Sequence, residues 1–294
     1  MSSCQQLSTG SFPLRIDGER IVVTGASGFL GRRVVDILFR SGCNVLPVCR
    51  SKRADCHQVA DYKDSPKGDV LIHLAENNNR HRVNRAGESY VQTALRTLRM
   101  LLDKGYQRVV YASSGVLYGD GSPYPCKPND GIEINDFYTS LKRESEIAVL
   151  ACGNNAVARL TNLYGPGMAR NNVLSTVLSQ IPGSGPVNVM DYSPIRDFLW
   201  IEDAAAGLTS LALSSECGIY NFGSGEGVSI AQLSQLALHL ANQKDRQVEA
   251  TRPSKNRSSI ILDISATTAA LGWQPVTSLT DGLRQLMDKS RFDK

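Results

Sequence analysis

ERIVVTGASGFLGRRVVDILFRSG, residues 19–42, decides the fold. It begins as a short β-branched run closing on glycine, then places Phe29, Leu30, Val34, Ile37 and Leu38 at helical spacing. This predicts a strand, a glycine turn and a helix in direct succession. At the junction Gly25, Gly28 and Gly31 stand at G-x-x-G-x-x-G spacing. Glycine there lets the backbone approach a pyrophosphate, whose charge is favoured by the free N–H groups and the dipole of a helix start. Three glycines also serve tight packing alone; their place between strand and helix is what points to a dinucleotide.

The pattern recurs outward from this stretch. CNVLPVC (43–49), GDVLIHLA (68–75), QRVVYASS (107–114) and NAVARLTN (155–162) are further apolar runs of strand length. Val91, Ala94, Leu95, Leu98, Leu101 and Leu102 mark an amphipathic helix, and another helix is expected from near Asp136. Apolar strands alternating with helices predict an α/β fold, a Rossmann-like doubly wound parallel sheet covered on both faces. Between Arg50 and Gly68 the interval is too short for a full unit, so a reduced one is expected there. After residue 163 the stretches YGPG, PGSGP and FGSGEG break the chain into shorter elements, with helices over 230–240 and from Leu279. The expected organisation is a flexible leader (1–18), a dinucleotide-binding domain (19–165) and a smaller substrate-binding lobe (166–294). Segments near 195–222 are expected to return to the main sheet.

The bulk numbers narrow the classes of function. Of 294 residues 41% are hydrophobic and 20% charged, and the net charge of +4 is scattered, with acids interleaved. No basic stripe for nucleic acid is visible, and an anionic small molecule suits the balance. Seven cysteines include no C-x-x-C pair and the four histidines are isolated, so no metal site is expected. A reduced, cytoplasmic protein is the expected context. No stretch of 18 apolar residues predicts a membrane span.

SSGVLYG (113–119) ends the fourth strand, so Ser113 and Ser114 emerge where open α/β sheets bind ligands. DFYTSLKRESE (136–146) puts Tyr138 and Lys142 four apart on one face of a helix that Asp136 is placed to cap. In this order the glycine loop, the strand-end serines and Y-x-x-x-K resemble the extended short-chain dehydrogenase/reductase family, in its epimerase/dehydratase branch acting on nucleotide sugars. RLTNLYGPG (159–167), RDFLWIEDAAAGL (196–208) and IYNFGSGEGVSI (219–230) look like further segments of that branch, and the resemblance covers about residues 19–287.

The resemblance implies that Tyr138 is the proton donor or acceptor, that Lys142 holds the nicotinamide ribose and eases ionisation of the phenol, and that Ser114 hydrogen-bonds the reacting oxygen. A free tyrosine ionises near ~10, and moving that to about 7 requires roughly 4 kcal/mol. Cofactor contacts are implied at Gly25, Ser27, Gly28, Phe29, Leu30, Gly31, Leu74, Ala75 and Ser113, and substrate contacts at Asn162, Arg196 and either Arg252 or Arg257. The implied partner is a nucleotide-diphosphate sugar. Helices near 91–104 and 137–151 imply a homodimer.

The resemblance implies that members dehydrating 4,6-positions carry an Asp and Glu pair directly after the strand-end serine; here Gly115 and Val116 stand there, and neither moves a proton, so a 4,6-dehydratase of that type is disfavoured. Two hydride chemistries remain, a reductase with a dissociable cofactor and an epimerase that retains it; a non-catalytic dinucleotide sensor is a third, less favoured class. VLPVCRSKR (45–53) inclines the choice. Members specific for NAD place an acid at the end of the second strand, where an arginine accommodates a 2′-phosphate. Cys49 takes the acid's place and Arg50, Ser51 and Arg53 follow, so NADP(H) is expected over NAD(H), and with it a ketoreductase. Tyr90 stands where the family has Asn, and NNNRHRVNR (77–85) is read as a polar loop that either touches substrate phosphates or, the favoured reading, is solvated.

Overall fold

The computed structural model describes residues 18–254, 256 and 258–288. The expected leader up to residue 17, and Arg257, lie outside the described residues.

β1 (Arg20–Thr24) runs through the glycine turn into α1 (Phe29–Arg40), and β2 (Asn44–Cys49) follows. In the short interval a two-residue strand, β3 (His57–Gln58), and a single 3-10 turn (Tyr62–Asp64) replace a complete unit. β4 (Val70–His73), α2 (Arg80–Leu102), β5 (Arg108–Ser114), α3 (Phe137–Leu150) and β6 (Ala156–Leu160) complete the regular alternation. Shorter elements follow: β7 (Asn162–Tyr164), α4 (Val173–Gln180), β8 (Val187–Val189), β9 (Ile195–Arg196) and β10 (Phe198–Trp200). Next come α5 (Ile201–Leu213), β11 (Gly218–Phe222), β12 (Val228–Ser229) and α6 (Ile230–Leu240). β13 (Val248–Ala250), β14 (Ser259–Ile260), α7 (Ser265–Leu271) and α8 (Leu279–Met287) end the described chain.

The main sheet has seven strands in the order β11-β6-β5-β4-β1-β2-β3, and every pairing in it is parallel. Strands buried on both faces need helices on both, which explains their continuous apolar runs. On one face Val34 and Leu38 of α1 pack with Leu208 and Leu211 of α5. On the other, Leu98 and Leu101 of α2 meet Val149 of α3. From β1 the chain winds outward to β2 and β3, then returns to β4 and winds the other way. The resulting crevice at the carboxyl ends of β1 and β4 is where such sheets bind ligands. A second core, with Tyr164, Leu174, Val187, Trp200, Leu233 and Leu283, holds the smaller lobe together.

Two segments differ from expectation. Gly218–Phe222 returns to the main sheet beside β6, but residues 195–200 do not: β9 pairs with β12 and β14, and β10 pairs with β7. Between them lies Asp197, fully buried, whose carboxylate accepts N–H groups from Ser224 (2.7 Å), Gly225 (3.3 Å) and Leu262 (3.2 Å). That clasp pins the segment against the smaller lobe. The stretch read as a solvated loop, 77–85, is instead largely helix. Asn79 caps α2 by accepting the Arg82 N–H at 2.9 Å, and Gly87 (φ 68°, ψ −156°) kinks the helix before its apolar part begins.

Replacing Asp197 by Ala should strand the three N–H groups and lower unfolding stability by about 3 kcal/mol. Urea denaturation of the purified variant measures it.

Candidate functional site

A cavity of about 1180 Å³ opens at the crevice. Ordinary small-ligand pockets reach about 1,000 Å³, so a dinucleotide and a second ligand fit together. Three groups of residues line it: the glycine turn at one end, the β5 end with the start of α3 in the middle, and Asn162, Arg196 and Phe198 at the other end.

The glycine turn is built by close backbone approach. Gly25 has φ +73°, and a β-carbon there would meet the Leu74 carbonyl oxygen at 2.8 Å; one on Gly31 would fall 2.2 Å from the Gly25 oxygen. No side chain caps α1, whose N-cap is Gly28. Its first N–H groups are therefore directed at the cavity mouth without a protein acceptor at the cap, and the turn leaves backbone-only walls. These features fit the pyrophosphate of a dinucleotide.

In the middle, α3 begins with a capping box between Asp136 and Thr139, which sets the angle at which Tyr138 and Lys142 leave the helix. Tyr138 is 6% exposed, its N–H donates to Asn84 Oδ1 at 3.0 Å, and its hydroxyl has no partner among the described residues. Ser114 is buried beside it in the lining, its hydroxyl oxygen accepting the Val116 N–H at 3.3 Å. The Lys142 ammonium lies 5.9 Å from the Tyr138 ring centre.

The surroundings of Lys142 were not foreseen. Its Nζ donates to Glu76 Oε2 (2.9 Å), Tyr111 Oη (3.1 Å) and the Ala112 carbonyl (3.0 Å). Three protons have three protein acceptors, so a ribose hydroxyl must displace one of them. Glu76 also accepts from Tyr111 Oη–H (2.6 Å) and Ser145 Oγ–H (3.2 Å). Burial alone would raise the Glu76 carboxyl, but Lys142, His73 and the Tyr111 hydroxyl hold it below its ordinary value. Burial would likewise lower Lys142, and Glu76 with the two tyrosines keeps it well above its own. The run HLAE places Glu76 just past a strand end that faces the ligand crevice, and this position was its only signal in the sequence.

The other expected site residues divide. Gly28, Phe29, Leu30, Leu74 and Ser113 line the cavity with Gly25, Gly31, Ser114, Tyr138, Lys142, Asn162 and Arg196. Ser113 does so without its hydroxyl, which donates to Glu146 Oε1 at 2.6 Å inside a buried pair with Arg159. The Asn162 amide donates to the Asp197 carbonyl at 3.0 Å, and Arg196 is held by Ser258 Oγ at 2.7 Å. Ser27, Ala75, Arg50, Ser51, Arg53 and Arg252 are not in the lining. Arg252 is exposed after β13, its N–H tied to the Met190 carbonyl, so it is the least suited of the expected substrate contacts. Arg50, Ser51 and Arg53 stand on the outer rim, next to the glycine turn, where the Ala26 N–H donates to Val48 O. Arg53 is paired with Asp55, while the Arg50 guanidinium lies 5.4 Å from the Tyr62 ring centre and Cys49 turns its thiol to the Ser51 carbonyl. Asn79, Arg80, His81, Arg82 and Arg85 of the supposed loop line the cavity, and Tyr90 receives the Asn77 N–H through its hydroxyl at 2.9 Å.

Comparison with known proteins shows the family and the fold. The sequence model of the NAD dependent epimerase/dehydratase family matches residues 21–223. A dTDP-4-dehydro-6-deoxyglucose reductase of Escherichia coli is 28% identical over 202 residues; the match covers 65% of this chain and 64% of that protein, just under two thirds of its length. A UDP-glucose 4-epimerase of Thermotoga maritima, solved with UDP-glucose, shares the fold at TM-score 0.82 and 22% identity, over 92% of this chain and 98% of that one. RMD from Pseudomonas aeruginosa, solved with NADPH, superposes at TM-score 0.80 and 25% identity, over 92% and 97%.

His73 lies beneath the site, its Nδ1 2.8 Å from Thr24 Oγ1, and burial pushes it down to about 4 from the ordinary 6.5. A histidine depressed in the folded state gives stability that is complete above 6.5 and falls away as the pH drops to about 4, roughly 3 kcal/mol in all. His73→Asn should flatten that part of the stability-against-pH curve, measured by urea midpoints across the interval.

Proposed function

Because the chain belongs to the NAD dependent epimerase/dehydratase family, we propose that it reduces a keto group of a nucleotide-activated sugar, most simply a 4-keto sugar, with NADPH. The observation that carries this reading is the Tyr138 hydroxyl, unpartnered among the described residues, in one cavity with Ser114, the glycine turn and Arg196. Gly25, Gly28 and Gly31 with the first N–H groups of α1 hold the cofactor's pyrophosphate, and Leu74 borders its path. Arg50 and Ser51 receive the 2′-phosphate, since Cys49 offers no carboxylate to repel it. When bound, the cofactor supplies the hydride.

The residues of this chain handle the oxygen and its proton. Ser114 donates a hydrogen bond to the keto oxygen, which gains negative charge as the carbon is reduced. Tyr138 gives that oxygen its proton and is reprotonated from the open cavity. Arg196 and Asn162 at the far end suit the nucleotide diphosphate, arginine through its planar donor fork. With Gly115 and Val116 beyond Ser114, no acid and base pair stands there to remove water. The same reading includes a homodimer through α2 and α3, which leave Met100, Phe137 and Ile147 exposed, and a cytoplasmic setting.

Mixed with NADPH and a panel of nucleotide 4-keto-6-deoxy sugars, the protein should consume the reduced cofactor with at least one; no consumption with any of them sinks the reading. Denaturing the protein as purified and finding stoichiometric NAD would favour the epimerase instead. Tyr138→Phe should lower turnover by roughly two to four orders of magnitude and leave cofactor affinity unchanged.

Arg50→Ala should weaken NADP(H) binding about ten- to a hundredfold and barely change NAD(H) binding. Fluorescence titration with both cofactors separates the two.

A further inference from the structure

The stretch 77–85 carries positive charge that the proposed function leaves unused. Among the cations of the cavity lining, Lys142 is paired with Glu76 and Arg80 with Asp136. Arg196 donates to Ser258 Oγ, whose hydroxyl donates in turn to Asp120 Oδ2 at 2.8 Å. Glu76 and Asp120 are the acids of the lining, and both are thus engaged. Arg82 and Arg85 line the same cavity, and neither guanidinium has a partner among the described residues. Two like charges held at a cavity wall with no acid against them raise the local concentration of an anion entering from outside.

The backbone that carries them is fixed at three points. Before it, the Tyr90 hydroxyl accepts the Asn77 N–H at 2.9 Å. Behind it, Gly87 adopts φ 68° and ψ −156°, a conformation essentially confined to glycine, which turns the first part of α2 off the line of the rest. Between them, Asn84 Oδ1 accepts the Tyr138 N–H at 3.0 Å and the Asn84 amide donates to Asp136 Oδ2 at 2.8 Å. The segment is thereby joined to the head of α3 at Tyr138, and Arg82 and Arg85, three positions apart, share one of its faces.

In the proposed function the cofactor's pyrophosphate lies at the glycine turn and the nucleotide diphosphate at Arg196, so both phosphate groups already have their holders. A further cationic position joined to Tyr138 answers a charge on the sugar itself. We propose that Arg82 and Arg85 form an anion subsite that selects a sugar bearing a carboxylate, received by the planar donor forks of the two guanidinium groups. The inference rests on the proposed function for the placing of cofactor and nucleotide. Its consequence is a specificity: neutral sugars enter the cavity, and acidic ones are held more tightly there.

The test is a calorimetric titration in excess NADP, which requires no turnover. Two acidic probes, UDP-glucuronate and UDP-N-acetylmuramate, are each compared with a neutral counterpart, UDP-glucose and UDP-N-acetylglucosamine, and with UDP alone. At least one acid should bind about tenfold or more tightly than its counterpart, and added salt should shrink the difference. Arg82→Gln combined with Arg85→Gln should abolish the preference and leave the neutral sugars and UDP as they were. The charge-retaining pair Arg82→Lys and Arg85→Lys should still prefer the acid. The proposal is overturned if neither acid is preferred, binding of no probe at all included, or if the preference survives the glutamine pair. It is equally overturned if that pair weakens UDP and the neutral sugars as much as the acid, since the arginines then hold the diphosphate. Should the acid be preferred through these arginines while no keto sugar is reduced, the proposed function fails and the subsite stands; reduction of keto sugars without any such preference has the opposite meaning.

Discussion

A β-carbon on Gly31 would lie 2.2 Å from the Gly25 carbonyl oxygen, so the turn between β1 and α1 closes only because neither position carries a side chain. That approach brings the start of α1 to the carboxyl end of β1 and directs its N–H groups into the crevice. It also seats α1 on the sheet, where Val34 and Leu38 pack with Leu208 and Leu211 of α5. Since α5 leads from β10 and the smaller lobe, the same contact carries the position of Arg196 relative to the glycine turn. One cavity spanning both ends depends on it.

The middle of the cavity is governed by charge rather than by packing. Two ion pairs, Lys142 with Glu76 and Arg159 with Glu146, lie almost wholly out of water behind the wall formed by β5 and α3. Buried pairs contribute little net stability, but breaking one leaves a charge without a partner, so each strongly restricts where its side chains can lie. Glu146 takes the Ser113 hydroxyl away from the cavity, and Ser114 alone is left to present its oxygen there. Glu76 restrains Lys142 in the same manner, and Tyr138 is the one hydroxyl of the set with no protein partner among the described residues.

Much of this was legible along the chain because it depends on neighbours in sequence. Strand, glycine turn and helix follow from residues 19–42, and the four-residue interval puts Tyr138 and Lys142 on one face of α3. The replacement of an acid by Cys49 at the end of β2 is likewise local. What misled was also local: the polar run 77–85 has the composition of a loop. Its helical start comes from the Asn79 cap and from Asn84, which accepts the Tyr138 N–H from another helix.

The amino-acid sequence by itself determined the order of the regular elements up to β6, the glycine turn and the shared face of Tyr138 and Lys142, because each rests on a spacing within one element or one turn. Only the tertiary structure decided what those side chains face. Lys142 meets Glu76 across 66 positions of chain, Arg196 meets Ser258 across 62, and the Tyr138 N–H meets Asn84 across 54. Such contacts depend on the order and register of parallel strands and on how helices cross them. Periodicity gives the face of an element; the partner opposite that face is set by packing of the whole chain.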